Sequence, residues 1–333
     1  MKILDLALVF SLCQLVFAIS RTTPPSGAKI VRAGSTASGE YSTVSAAVAS
    51  LPNDSTSQSI FIYPGTYNEQ VYITRSGPLV IYGYTTDIMS YSANQVTIQA
   101  GVTAQQAGSD DASGTVRIHK NDFKMYNVNV KNTYGPGTQA IAFSQYGSRV
   151  GLYACGFYGY QDTLYANAGT QVYLRNYIEG ATDFIFGRTG LAFFGKNTIA
   201  VSGPGWVTAN GRTSNDSGSY VFDGNSIILA SDATSSTLGA TYLGRPWGAY
   251  AKVIFKNTVV TAPMNKALWS EWSSATPNTS NILFAEYNST GSGVSGATRP
   301  SFATILSASQ AAAYSISSAV GGDYASWVDL TYL

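Results

Sequence analysis

From about residue 115 the apolar positions of this chain do not keep a helical period. Short β-branched or aromatic runs are cut by an Asn or Gly and then resume: Met125-Tyr126-Asn127-Val128, Ala154-Cys155-Gly156-Phe157 and Leu174-Arg175-Asn176-Tyr177-Ile178. The pattern continues through Phe194-Gly195-Lys196-Asn197-Thr198-Ile199, Phe222-Asp223-Gly224-Asn225-Ser226-Ile227 and Phe255-Lys256-Asn257-Thr258-Val259. The punctuating positions 127, 156, 176, 197, 225 and 257 lie 29, 20, 21, 28 and 32 residues apart. Asn and Gly tolerate the left-handed backbone of a sharp bend, so each is expected to mark a corner between strands. Short strands repeating every 20 to 30 residues, with almost no helix between them, predict an all-β parallel β-helix. An antiparallel sandwich is the competing architecture. Irregular spacing favours the solenoid, since insertions loop out of one face without disturbing the stack.

Upstream, Tyr41, Val44, Ala47, Val48 and Leu51 recur at helical spacing until Pro52, which predicts a short helix covering the N-terminal end of the solenoid. Ser59 to Tyr63 and Gln70 to Thr74 read as strands on either side of Pro64-Gly65. Residues 19–40, rich in Ser, Thr, Gly and Pro, read as a leader with little structure, and 41–333 as one catalytic domain. An Ala-rich stretch (Gln310 to Tyr314) and an apolar one (Trp327 to Leu330) predict a C-terminal tail folded over the last coils.

Met1-Lys2 followed by the apolar run Leu6 to Phe17 and then Ala18 reads as a secretory signal spanning 1–18, too short to cross a bilayer. An extracellular location follows. Cleavage would remove Cys13 and leave Cys155 as a buried, unpaired thiol, so that stability must come from packing. Secretion also makes the sequons at Asn53, Asn215, Asn278 and Asn288 candidate glycosylation sites. Only 11% of the residues are charged and the net charge is +1, which argues against nucleic-acid or membrane partners.

Scarce charge makes two aspartates conspicuous. Asp162 lies in GYQDTLY (Gly159 to Tyr165) and Asp183 in DFIFG (Asp183 to Gly187), 21 residues apart and at nearly equivalent places in consecutive repeats. On a solenoid they face the same way, about 5 Å apart at the backbone. Neighbouring carboxylates resist joint ionisation, the arrangement of a nucleophile or base beside a general acid. A divalent-cation site, or a structural pair satisfied by Arg and backbone donors, fits the spacing as well. Gln139 (in QAIAF, Gln139 to Phe143), Gln161 and Arg245 (in LGRPW, Leu243 to Trp247) could serve the pair, and Trp247 could stack on a sugar. The single histidine, His119, sits in a strand-like run and reads as structural. No G-x-S-x-G segment and no zinc spacing occurs. Asp110-Asp111, beside Gly108, Ser109 and Gly114, reads as a solvated loop.

In order and approximate spacing, GTYNE (Gly65 to Glu69), QAIAF, GYQDTLY, DFIFG and LGRPW resemble the pectin methylesterases (pectinesterases), most closely the shorter microbial and fungal ones that lack a pro-region. The resemblance implies a right-handed parallel β-helix and hydrolysis of the methyl esters of homogalacturonan. It implies Asp183 as nucleophile, Asp162 as proton donor and then base, and Gln139 and Gln161 as stabilisers of the tetrahedral oxyanion. Arg245 would orient Asp183, Trp247 would bind substrate, and Tyr165 and Phe186 would line the cleft. No cofactor or metal is implied, the partners are methylated pectin and water, and a monomer is expected. The match weakens around Trp269 and Trp272, and Ala181-Thr182 stands where many members have Thr-Val. A pectin-backbone lyase or glycosidase, or a non-catalytic carbohydrate-binding solenoid, are the alternatives.

Overall fold

A computed structural model describes residues 18–333; the expected signal segment lies outside the described residues except for Ala18. Three parallel sheets of twelve, eight and seven strands run the length of a right-handed β-helix. Seven consecutive coils contribute one strand to each sheet, the twelve-stranded sheet extends beyond them at both ends, and each strand pairs with its counterpart one coil away. Leu164–Ala166, for example, pairs with Phe143–Gln145 on one side and Ile185–Gly187 on the other. Among the described residues no helix is long and apolar enough to cross a membrane.

Stacking identical positions turns the repeat into columns. Tyr173, Phe194, Phe222 and Phe255 form one such column inside the coil, with ring centroids 4.6, 4.3 and 4.3 Å apart and nearly parallel. Each offset stack adds to the burial of large apolar rings.

The corners differ from the sequence expectation by one or two residues. Register aligns Asn127, Ala154, Arg175, Lys196, Gly224 and Asn257, and it is these residues that take left-handed backbone. Only Asn127 and Asn257 match the expected corner positions. Asn176, Asn197 and Asn225 sit one step further on and point into the core as a ladder. Asn176 Oδ1 accepts from the Cys155 amide, Asn197 Oδ1 from the Asn176 amide and Asn225 Oδ1 from the Asn197 amide, at 2.7 to 2.8 Å. Their Nδ2 groups donate to the carbonyls of Leu152, Tyr173 and Phe194. The asparagines therefore satisfy buried backbone groups that the sheets leave open at the bend. Cys155 is fully buried, as expected, and burial pushes its thiol up to about 12.

At the N-terminal end the expected helix forms over Val44–Ala49, capped by the Thr43 side chain. Residues 19–40 are more structured than their composition suggested. Lys29–Val31 pairs with Gln58–Ile62 inside the twelve-stranded sheet, and Arg21 bridges Thr85. Gly65, expected in a turn with Pro64, instead opens a strand, Gly65–Asn68, of the eight-stranded sheet.

The C-terminal tail packs on the coils as expected, but it reaches past the last ones and runs back along the outer face of the twelve-stranded sheet. There Tyr332 meets the Tyr126 and Tyr153 rings, accepts from Arg175 Nε through its carbonyl and donates its hydroxyl to Ile88 O. Helix Ile316–Val320 covers Val172, Phe193 and Val221 on the way. Those outward apolar residues required a cover, which explains the course of the tail.

Candidate active site

The seven-stranded sheet carries an outward column of Ser144, Tyr165, Phe186, Ala209 and Arg245, one residue from each successive coil. A cleft opens on this face, lined by Asp110, Gln139, Gln161, Asp162, Asp183, Phe186, Ala209, Arg245, Trp247 and Trp272. Six sequence-predicted residues (Gln139, Gln161, Asp162, Asp183, Arg245 and Trp247) thus converge, with Phe186 beside them. Tyr165 does not line the cleft. It stacks flat behind Phe186, with ring centroids 4.3 Å apart, and supports that wall.

The two aspartates occupy the corner leading into this sheet. Gln161 bridges Thr182 in parallel register, and the Asp162 amide donates to Thr182 O at 3.0 Å, so Asp162 and Asp183 are equivalent residues of adjacent coils. Both have left-handed backbone, with φ of 64° and 53°. Asp adopts that region more readily than most residues, but it remains a sparsely populated conformation of the kind concentrated at functional sites. Both carboxylates are nearly removed from solvent, at 7% and 6% exposure.

Their surroundings are unequal. Arg245 clasps Asp183 with two parallel hydrogen bonds, Nε to Oδ1 at 2.9 Å and Nη2 to Oδ2 at 2.6 Å. The guanidinium is itself held between the faces of Trp206, at 3.6 Å, and Trp272, at 4.2 Å. Trp206 is fixed in turn by a 2.7 Å hydrogen bond from Nε1 to Ser270 Oγ. Burial pushes the Asp183 carboxyl upward, and Arg245 opposes that push. Asp162 has no such clasp. Burial raises it well above the usual carboxylate range, the Asp183 and Asp110 charges raise it further, and Arg245 offsets only part. A bidentate ion pair on one member and none on the other favours ionisation of Asp183 over that of Asp162.

Gln139 is oriented by its neighbour. Its Oε1 accepts from Thr138 Oγ1 at 2.8 Å, which leaves the amide hydrogens for another acceptor. Gln161 lies one coil further on, linked through the Ala140 amide to its own carbonyl. Trp247 is seated over Gly211, where an added Cβ would meet the indole at 2.4 Å. The Arg188 guanidinium stacks on the Trp247 ring at 3.8 Å. Asn278 Nδ2 donates to the carbonyls of Pro246 and Trp247, both at 3.1 Å, tying the loop that bears Trp272 to the strand that bears Arg245. Among the described residues no three His, Cys, Asp or Glu side chains converge as a metal-ligand set.

Trp206, Trp272, Asp110 and Arg188 escaped the sequence reading. Trp206 could have been found, because register places it opposite Asp183 one coil later. Asp110-Asp111 corrects the solvated-loop expectation. The pair opens a short helix, Asp110–Ser113, capped by Ser109. Asp111 accepts from Arg117 and Ser144 and faces His119 Nε2 at 2.9 Å, while Asp110 reaches the cleft. His119 has the structural role expected of it, stacked on Tyr146.

Comparison with known proteins identifies relatives along nearly the whole chain. The Pectinesterase family model matches residues 30–323. Pectinesterases of Aspergillus niger and Aspergillus aculeatus are each 44% identical over 322 residues, covering 95% of this chain and 95% of theirs. The deglycosylated pectin methylesterase of Aspergillus niger superposes with a TM-score of 0.86 at 39% identity, over 94% of this chain and all of that one. The carrot pectin methylesterase superposes with a TM-score of 0.81 at 28% identity, over 93% and 98%. A pectin methylesterase solved in complex with a hexasaccharide superposes with a TM-score of 0.71 at 25% identity, over 90% and 98%.

Proposed function

Because the chain belongs to the pectinesterase family and removes the methyl esters of pectin, we propose that Asp183 and Asp162 perform that hydrolysis in unequal roles. The asymmetric clasp of Arg245 on Asp183 carries this reading. Asp183, ionised and aimed by Arg245, attacks the carbonyl carbon of a galacturonate methyl ester. The carbonyl π pair moves to oxygen, and the amide groups of Gln139 and Gln161 hold the resulting oxyanion. Donors fixed in advance at that oxygen are worth on the order of 2.7–4 kcal/mol each in comparable sites.

Collapse of the tetrahedral species breaks the ester C–O bond, and Asp162 gives its proton to the methanol that leaves. An acyl-enzyme anhydride remains on Asp183. Asp162, now ionised, takes a proton from water, whose oxygen attacks the acyl carbon and frees galacturonate and Asp183. The net change is ester plus water to carboxylic acid plus methanol. No metal or organic group takes part in these steps. Trp247 and Phe186 supply aromatic surface in the cleft for the sugar chain, and the hexasaccharide bound by a relative supports a polymer lying across this cleft.

Secretion belongs to the same proposal, resting on the N-terminal pattern. Glycans are expected on Asn53, Asn215 and Asn288, which are exposed. Asn278 is half-buried and its amide nitrogen donates to two backbone carbonyls, which makes it the least accessible of the four.

The test is direct. Purified protein should release methanol from highly methylated pectin and should produce neither unsaturated ends nor viscosity loss from de-esterified polygalacturonate. Chain cleavage without methanol would favour the lyase or glycosidase alternative, and pectin binding without either would favour a binding solenoid.

A further inference from the structure

The cleft holds one carboxylate more than the chemistry uses. Asp110 lines it together with Asp162, Asp183, Gln139 and Gln161. Its neighbour Asp111 is committed to Arg117, Ser144 and His119. The Asp110 carboxylate itself has no ion pair and no side-chain hydrogen bond among the described residues, whose salt bridges link nine other pairs. Arg245 is spent on Asp183. Arg188, whose charge acts on Asp110, is exposed at the rim and lies against Trp247 instead of pairing with it. With Asp162 protonated and Asp183 balanced by Arg245, Asp110 is the remaining carboxylate of the cavity, without a direct ion pair and offset only by the Arg188 charge at a distance.

Substrate and product differ at this place by one charge. The methyl ester is neutral, whereas the carboxylate that replaces it is negative. A fixed anion in a partly desolvated cleft is nearly indifferent to the first and repels the second, by an amount that grows as water is excluded. An anion unnecessary for bond breaking thus acts on the one property that tells reacted rings from unreacted ones.

We propose that Asp110 is a specificity-determining residue of this enzyme, a fixed negative charge that favours methyl-esterified rings and drives demethylated product out of the cleft. The inference rests on the active-site reading given above. Burial raises the Asp110 carboxyl and Arg188 opposes that rise, so discrimination against free carboxylates strengthens as pH climbs and Asp110 ionises fully. The same charge adds to the field that keeps Asp162 protonated.

The experiment compares wild-type protein with Asp110→Asn, which keeps shape and removes charge, and with Asp110→Glu, which restores the charge. Asp110→Ser, a second neutral variant, serves if the Asn protein does not fold. Methanol release from highly methylated pectin is measured with increasing de-esterified oligogalacturonate as inhibitor, at low salt and again near 0.5 M salt, where the Debye length falls to roughly 4–5 Å. The neutral variants are expected to bind the inhibitor at least about three-fold more tightly than wild type at low salt, as loss of an opposing charge in a partly dry site implies. The gap should narrow in high salt, and Glu should restore the wild-type inhibition constant. Equal inhibition constants in wild-type and neutral proteins would overturn the proposal, as would a difference insensitive to salt. If wild type released no methanol, the active-site reading itself would fall, an outcome distinct from methanol release with unchanged inhibition.

Discussion

Arg245 clasps one of two equivalent aspartates and leaves the other without an ion pair. At the residue scale this leads to a pH dependence with a definite sign. The proposed mechanism needs Asp183 ionised and Asp162 protonated, so the rate should rise with pH as Asp183 loses its proton and fall again as Asp162 loses its own. Because Arg245 opposes the upward push on Asp183, Arg245→Gln should move the acid limb of kcat/KM to higher pH while lowering kcat; an unmoved acid limb would separate Arg245 from Asp183 ionisation. A second expectation concerns stability. Asp162 binds its proton more tightly folded than unfolded, so its contribution is favourable below the unfolded value near 4 and is lost as pH rises through the gap up to the folded value. Asp162→Asn, which also tolerates the left-handed backbone, should therefore melt roughly 2 °C or more above wild type at pH 7, with a gap that shrinks toward pH 4. Thermal unfolding monitored at both pH values decides it. The two aspartates, both glutamines, Arg245 and Trp247 were legible in the sequence, because each lies in a motif. Asp110, Trp206 and Trp272 were not, because they enter the cleft from separate loops and coils, and the wrap of the chain alone brings them together.

At the scale of elements, the buried asparagine ladder holds the corner between the twelve-stranded and eight-stranded sheets. Asn197 both accepts from Asn176 and donates to Tyr173 O. Asn197→Ala strands those groups without water, at a cost of roughly 2–4 kcal/mol, measurable as a lower denaturant midpoint. An asparagine that only adopted the left-handed bend itself, the role suggested by the sequence, would tolerate alanine far better. Sequence spacing located these corners only within two residues, because the left-handed position is filled by Ala154, Arg175 and Lys196 as well as by Asn and Gly. In those coils the ladder, not the residue's own preference, sets the bend. Gly211 shows the same dependence at the site. Gly211→Ala should displace Trp247 and raise KM for pectin several-fold, with a smaller effect on kcat, since the three atoms nearest an added Cβ all belong to the Trp247 ring; the split between KM and kcat is the readout.

Over the whole molecule, the two ends of the chain do different work. The first described residues join the sheet, and the last ones cover the face formed by Tyr126, Tyr153 and Val172. This cover lies on the twelve-stranded sheet, whereas the cleft opens on the seven-stranded one, so stability and catalysis should separate. Tyr332→Ala, at a side chain 1% exposed, should cost roughly 3 kcal/mol or more and leave kcat unchanged for the protein that remains folded. The solenoid was legible because its strands repeat, whereas the course of the tail was not, since no repeat shows which face it will cover. The central claim is that Asp183 is the nucleophile and Asp162 its acid partner, and it is tested most directly by methanol release from highly methylated pectin by wild type and by folded Asp183→Asn. Wild type should release methanol and the variant should be slower by about a thousand-fold or more, as loss of a nucleophile implies; undiminished release by Asp183→Asn would contradict the account.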